Sequence, residues 1–250
     1  MGLLGKLFGK KPRAEASSPA PLTQDAGEPG EPGEPGEPGA SREPDIAPEL
    51  APALAAFQAG RPKDAIAGAM PHVARLADAA RLCALAYSEM ARYPEAFPYW
   101  LKLFEQEPSA HNALQLATTS VMCGEVERGE AWLLKAAQVN HDTHEQSDVA
   151  ACVNFISALM QSGHLREALP HLVWMRDVYA QVRITDSTFL SMRGIPFFSS
   201  FLEKSLEILK ATQPADAIAS WYGELDGKLD EEGAAQLAEW VGQLKGQPAA

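Results

Sequence analysis

His141-Asp142-Thr143-His144-Glu145 is the densest run of metal-ligating side chains in the sequence. Imidazoles and carboxylates bind zinc, but a site needs three or four ligands that converge. One acidic loop with two histidines seldom meets that condition. The run therefore reads as a solvated loop beside a helix cap, and no metal or cofactor is expected. Three cysteines, Cys83, Cys123 and Cys152, form no CxxC pair and no even set. They fall in predicted first helices of helix pairs, where cysteine serves as a small core residue. Reduced thiols fit a cytoplasmic protein. His72 and His171 fall in predicted second helices, where polar packing accounts for them. Gly223 and Gly227 lie in a helical pattern and lack the Lys-Ser or Lys-Thr of a phosphate-cradling loop. No Gly-x-Ser-x-Gly elbow is present. Catalysis is not expected.

The elements that carry these residues repeat. Four turns read Gly60-Arg61-Pro62-Lys63-Asp64-Ala65, Ala91-Arg92-Tyr93-Pro94-Glu95-Ala96, Gly124-Glu125-Val126-Glu127-Arg128-Gly129 and Gly163-His164-Leu165-Arg166-Glu167-Ala168. In each, a small residue is followed five positions later by another. The spacings of 31, 33 and 39 residues between these turns are those of helical solenoids. Abundant Ala and Leu favour helix, and no run alternates as a half-buried strand does. The chain is expected to be all-α, with about four helix pairs over residues 46–182 and capping helices over residues 183–250. In that last block Pro196 precedes an apolar run beginning at Phe197, and Asp230 is placed to cap the final helix.

Ahead of the repeats lie two unlike segments. Residues 1–13 carry Lys6, Lys10, Lys11 and Arg13 and no acid. Leu3, Leu4, Leu7 and Phe8 share one face of a helical turn, as in an interfacial anchor. Such a segment implies weak, reversible contact with a membrane surface or a protein groove. Gly2 invites myristoylation, but Lys6 stands where that motif takes Ser or Thr. Residues 14–45 form a linker whose centre is Glu-Pro-Gly four times over, a composition that cannot pack and is expected to be disordered. Outside residues 1–13, 17 cations face 33 anions, so the body repels phosphate backbones and nucleic-acid binding is not expected. No apolar stretch approaches the roughly 20 residues of a membrane span. The expected location is cytoplasmic, at most peripheral at the inner membrane face.

The repeat resembles the tetratricopeptide family of helix pairs. The copy from Ala77 supplies Ala84, Tyr87, Ala96, Trp100, Leu103 and Pro108 at the family's marked positions. The copy from Ala110 supplies Leu116, Ala117, Gly124, Gly129, Leu133 and Ala136; that from Val149 supplies Phe155, Gly163, Ala168, Leu172 and Met175. The first copy, near Ile46 to Met70, keeps Ala53, Gly60 and Ala65 but sets Pro52 at a core position. The resemblance implies a curved trough walled by the first helices. Carried onto this chain, the wall is Asp78, Arg81, Leu85, Ser88 and Glu89, then His111, Leu114, Thr118, Val121 and Met122, then Ala150, Val153, Ser157, Met160 and Gln161.

This wall is largely apolar and implies a protein or peptide partner with an amphipathic helix or apolar segment. The cationic clamp with which some relatives grip chaperone tails is missing: Leu50, Leu54, Asp78, Leu82, His111 and Gln115 stand at the matching positions. The resemblance implies a non-enzymatic scaffold or adaptor. A secretion-type chaperone for apolar segments and a peripheral membrane protein tethered by residues 1–13 are the alternatives. The C-terminal helices could equally occupy the trough.

Overall fold

The computed structural model describes residues 46–246, and the chain divides into two units between residues 51 and 52. Leu3, Leu4, Leu7 and Phe8, and the whole of residues 1–45, lie outside the described residues. In the first unit, Pro48–Leu50 form a single 3-10 turn. All that follows concerns residues 52–246, apart from the first residue of α1. Among the described residues every regular element is helical and none is a strand.

Four helix pairs come first. They are α1 (Ala51–Gln58) with α2 (Pro62–Ala69), α3 (Ala77–Glu89) with α4 (Tyr93–Gln106), α5 (Ala110–Met122) with α6 (Val126–Thr143), and α7 (Asp148–Gln161) with α8 (Leu165–Val182). The short α9 (Ser187–Arg193) precedes α10 (Phe198–Thr212), α11 (Ala215–Gly223) and α12 (Glu231–Gly246). No described helix is long and apolar enough to cross a membrane.

The four turns read from sequence close in one way. Gly60, Ala91, Gly124 and Gly163 all take the left-handed conformation, with φ of +68°, +55°, +79° and +80°. The next N–H then reaches back five residues: Arg61 to the Ala56 carbonyl, Arg92 to Tyr87, Glu125 to Ser120 and His164 to Leu159, at 2.8–3.0 Å. This ending satisfies a carbonyl that the helix would otherwise leave unpaired. Five residues on, Ala65, Gly129, Ala96 and Ala168 are all buried. A Cβ built on Gly129 would stand 2.6 Å from Val121 Cγ2 and 3.0 Å from the Ala117 carbonyl oxygen. Small side chains at this place therefore set how closely the two helices approach.

The helices that open the third and fourth pairs are capped by serine. Ser109 Oγ accepts the Asn112 N–H at 3.0 Å and Ser147 Oγ that of Ala150 at 3.5 Å. Pro52, assigned to a core position from sequence, is instead exposed at the second residue of α1, where a missing N–H costs no helical bond.

Neighbouring helices pack in chain order: α2 on α3, α3 on α4, α4 on α5, α5 on α6 and α7, α7 on α8. The C-terminal block continues the sequence of contacts, with α8 on α10, α10 on α11 and α12, and α11 on α12. One core runs from Ala117 through Phe155, Tyr179 and Phe201 to Leu237. Asp230 caps α12 by accepting the Gly233 N–H at 3.0 Å. The same carboxylate takes the Thr185 N–H at 2.8 Å and the Thr185 hydroxyl at 2.5 Å. Burial pushes its pKa up, but these hydrogen bonds more than offset that and hold it below its ordinary value. One side chain thus ties the end of α8 to the start of the last helix.

Candidate functional site

The fifteen positions carried over as a wall separate into three groups. Toward α3 and the start of α5 they are polar. Arg81 donates to Asp78 on its own helix and, at 2.7 Å, to Glu107 at the end of α4. Its side chain keeps only 12% of its exposure, so the guanidinium ties α3 to the end of α4 within one helix pair. Burial raises the Asp78 pKa against the pull of Arg81. His111 lies beside this cluster. Its Nε2 is buried and has no hydrogen-bond partner among the described residues. Burial lowers its pKa, and the charge of Arg81 adds to that. Leu85 is half-buried and Glu89 exposed. Ser88 faces inward and accepts the Trp100 indole N–H at 3.3 Å.

In the middle the wall belongs to the core. Leu114 is 3% exposed and Val121 is fully buried, and neither lines the groove that opens at α7. Leu114 packs with Ala113, Ala136 and Ala151, and Val121 fills the space that Gly129 leaves open. Thr118 turns its hydroxyl back onto the Leu114 carbonyl at 3.1 Å. Met122 and Met160 are partly buried against the main core.

At α7 the wall is open. Val153, Ile156 and Ser157 form one side of a groove, and Pro196, Phe201, Lys204 and Ile208 the other. Leu172 and Met175 of α8 make its floor. The cavity of about 90 Å³ has the volume of roughly three waters, enough for one branched aliphatic side chain. The groove exists because α8 packs against both α7 and α10 and holds them as two separate rims. Among the described residues, Lys204 on the rim makes no ion pair. Of the wall positions, Val153 and Ser157 line this groove, and Arg81, Leu85, Glu89, His111, Thr118, Met122 and Met160 do not.

No family model matches the chain, and no curated protein matches it. The site therefore rests on geometry alone.

Phe201, Lys204 and Ile208 were missed as site residues. A signal for Phe201 and Ile208 exists: Phe198, Phe201, Leu202, Ser205, Ile208 and Leu209 are the buried stripe of α10, at helical spacing. Ser205, fully buried, shares a 2.8 Å hydrogen bond with the Tyr222 hydroxyl and lets α10 and α11 cross closely. A larger cleft of about 840 Å³ separates α11 from α12. Its lining sets Leu225, Leu237 and Val241 among Ala and Gly residues and the charged Asp216, Glu224, Asp226 and Lys245, so it is more polar than the groove between α7 and α10.

The residues considered for chemistry lie apart. His141, Asp142 and Thr143 are the last residues of α6, and Glu145, just after it, accepts the Ala110 N–H and so fastens the segment after α6 to the start of α5. His144 takes the left-handed conformation that ends α6. Among the described residues no three His, Cys, Asp or Glu side chains converge as metal ligands would. Cys83, Cys123 and Cys152 are free thiols. Burial pushes Cys83 up to about 11 and Cys152 up to about 12, so both are protonated and poorly nucleophilic near neutral pH.

Proposed function

We propose that the chain is a non-enzymatic interaction protein, a tetratricopeptide-like solenoid that holds an apolar or amphipathic segment of a partner in the α7–α10 groove. The supporting observation is that groove: an apolar floor and two pre-packed rims, left open by helices that are otherwise tightly paired. The identical closure of four turns and the burial of the small residue after each support the repeat reading. Rims already ordered lose little entropy on binding, so a short guest can be held with useful affinity. A helix laid along α7 and α10 would seat one aliphatic side chain between Val153 and Ile208 and leave its polar face in water.

A fluorescein-labelled helical peptide with leucines at i, i+3, i+4 and i+7 is a suitable probe. Its anisotropy should rise saturably with the full chain. Ser157→Trp places a large side chain at the mouth of the groove from an exposed position and should weaken binding about tenfold or more. Equal binding by the wild type and this variant would remove the groove from the account.

A further inference from the structure

A second cavity, of about 310 Å³, opens on another side of the α7–α8 hairpin, between α6, α7 and α8. Its size lies at the lower end of the ligand-pocket range. Leu133, Ala137 and Cys152 make an apolar lining, and Trp174 stands as a wall that remains 42% exposed. The same lining carries the carboxylate of Asp148. One of its oxygens, Oδ1, accepts the Asn140 side-chain N–H at 2.8 Å, and among the described residues Asp148 has no cationic partner. The nearest lysine in sequence on α6 is Lys135. It is two residues from both Leu133 and Ala137, hence on the opposite face of the helix. Glu130 adds a second carboxylate on this side of the hairpin and holds His171, a lining residue, at 2.7 Å.

An open indole face, an apolar channel and an unpaired carboxylate are complementary to a long cationic side chain. We propose that this cavity takes an arginine of a basic, apolar partner segment: the guanidinium lies on Trp174 and meets Asp148, and its methylenes cover Leu133 and Ala137. Arginine suits the site better than lysine because its planar head stacks on an indole and bonds a carboxylate through a fork of donors. The charge of the helical part favours the same partner, since 25 anions face 16 cations from residue 46 onward and a positive segment is drawn to such a surface. The site is independent of the α7–α10 groove and stands or falls separately.

The test uses the full chain with 15N-labelled tryptophan, the Trp174 indole signal being assigned by its loss in Trp174→Phe. The probes are acetyl-leucyl-arginyl-leucyl-leucine amide and the same peptide with norleucine in place of arginine. The arginine peptide should shift the Trp174 signal saturably, and the norleucine peptide should bind about tenfold more weakly. Asp148→Asn should weaken the arginine peptide about fivefold while leaving the norleucine peptide unchanged. Equal affinity of the two peptides, or a Trp174 signal that the arginine peptide does not move, overturns the proposal. Should Asp148→Asn fail to fold, the comparison of the two peptides on the native chain decides alone.

Discussion

Ala91 occupies the one turn of four that lacks glycine, yet it takes the same left-handed backbone, at φ +55°. A Cβ is disfavoured there. Ala91→Gly is therefore expected to stabilise the protein by about 0.5–1 kcal/mol, raising the thermal midpoint by roughly 1–4 °C. Gly163→Ala should move the midpoint down by a similar amount. Calorimetry on both variants checks the pair. His111 offers a second test. Its neutral form is favoured in the fold, by burial first and by Arg81 second. The stability this confers is full above the ordinary histidine pKa, near 6.5, and is lost as pH falls through the lowered folded value. Wild type should thus lose more thermal stability between about pH 7 and about pH 5 than His111→Leu does. Equal losses would mean that the buried Nε2 is paired in solution.

The turns were legible because a left-handed turn wants glycine and a close helix crossing wants a small side chain, and both demands fall on single residues. Gly60, Gly124 and Gly163 show the first, and Ala65, Ala96, Gly129 and Ala168 the second. The groove was less legible. Leu114 and Val121 occupy positions that face a trough in a widely opened array, but here α5 packs closely on both α6 and α7 and buries them. Val153 and Ser157 could be read only as one rim. The opposite rim lies beyond the insertion of α9, where the 31- to 39-residue spacing breaks and hides that α10 packs on α8. The α5–α6 crossing gives this scale its own prediction. In an exposed helix, Gly→Ala gains about 1 kcal/mol. At Gly129 the added Cβ meets Val121 and a backbone oxygen, and overpacking of this kind costs about 1–3 kcal/mol. Gly129→Ala should lower the urea midpoint. A raised midpoint would show that α5 and α6 can separate at no cost.

Across residues 52–246 the helices make contacts with near neighbours in the chain, and the largest core cluster runs from α5 to α12. Such an arrangement holds its rims in place without a guest, which is what a pre-formed groove requires. The claim that the α7–α10 groove receives an apolar guest can be tested by methyl relaxation. The leucine-bearing helical peptide, carrying a nitroxide beside its central leucine, is titrated into protein labelled at isoleucine, valine and leucine methyls. The account predicts that Val153, Ile156 and Ile208 broaden first and that Ile66, on α2, stays sharp. Equal broadening at Ile66, or sharp signals from all three groove residues at saturation, would contradict it.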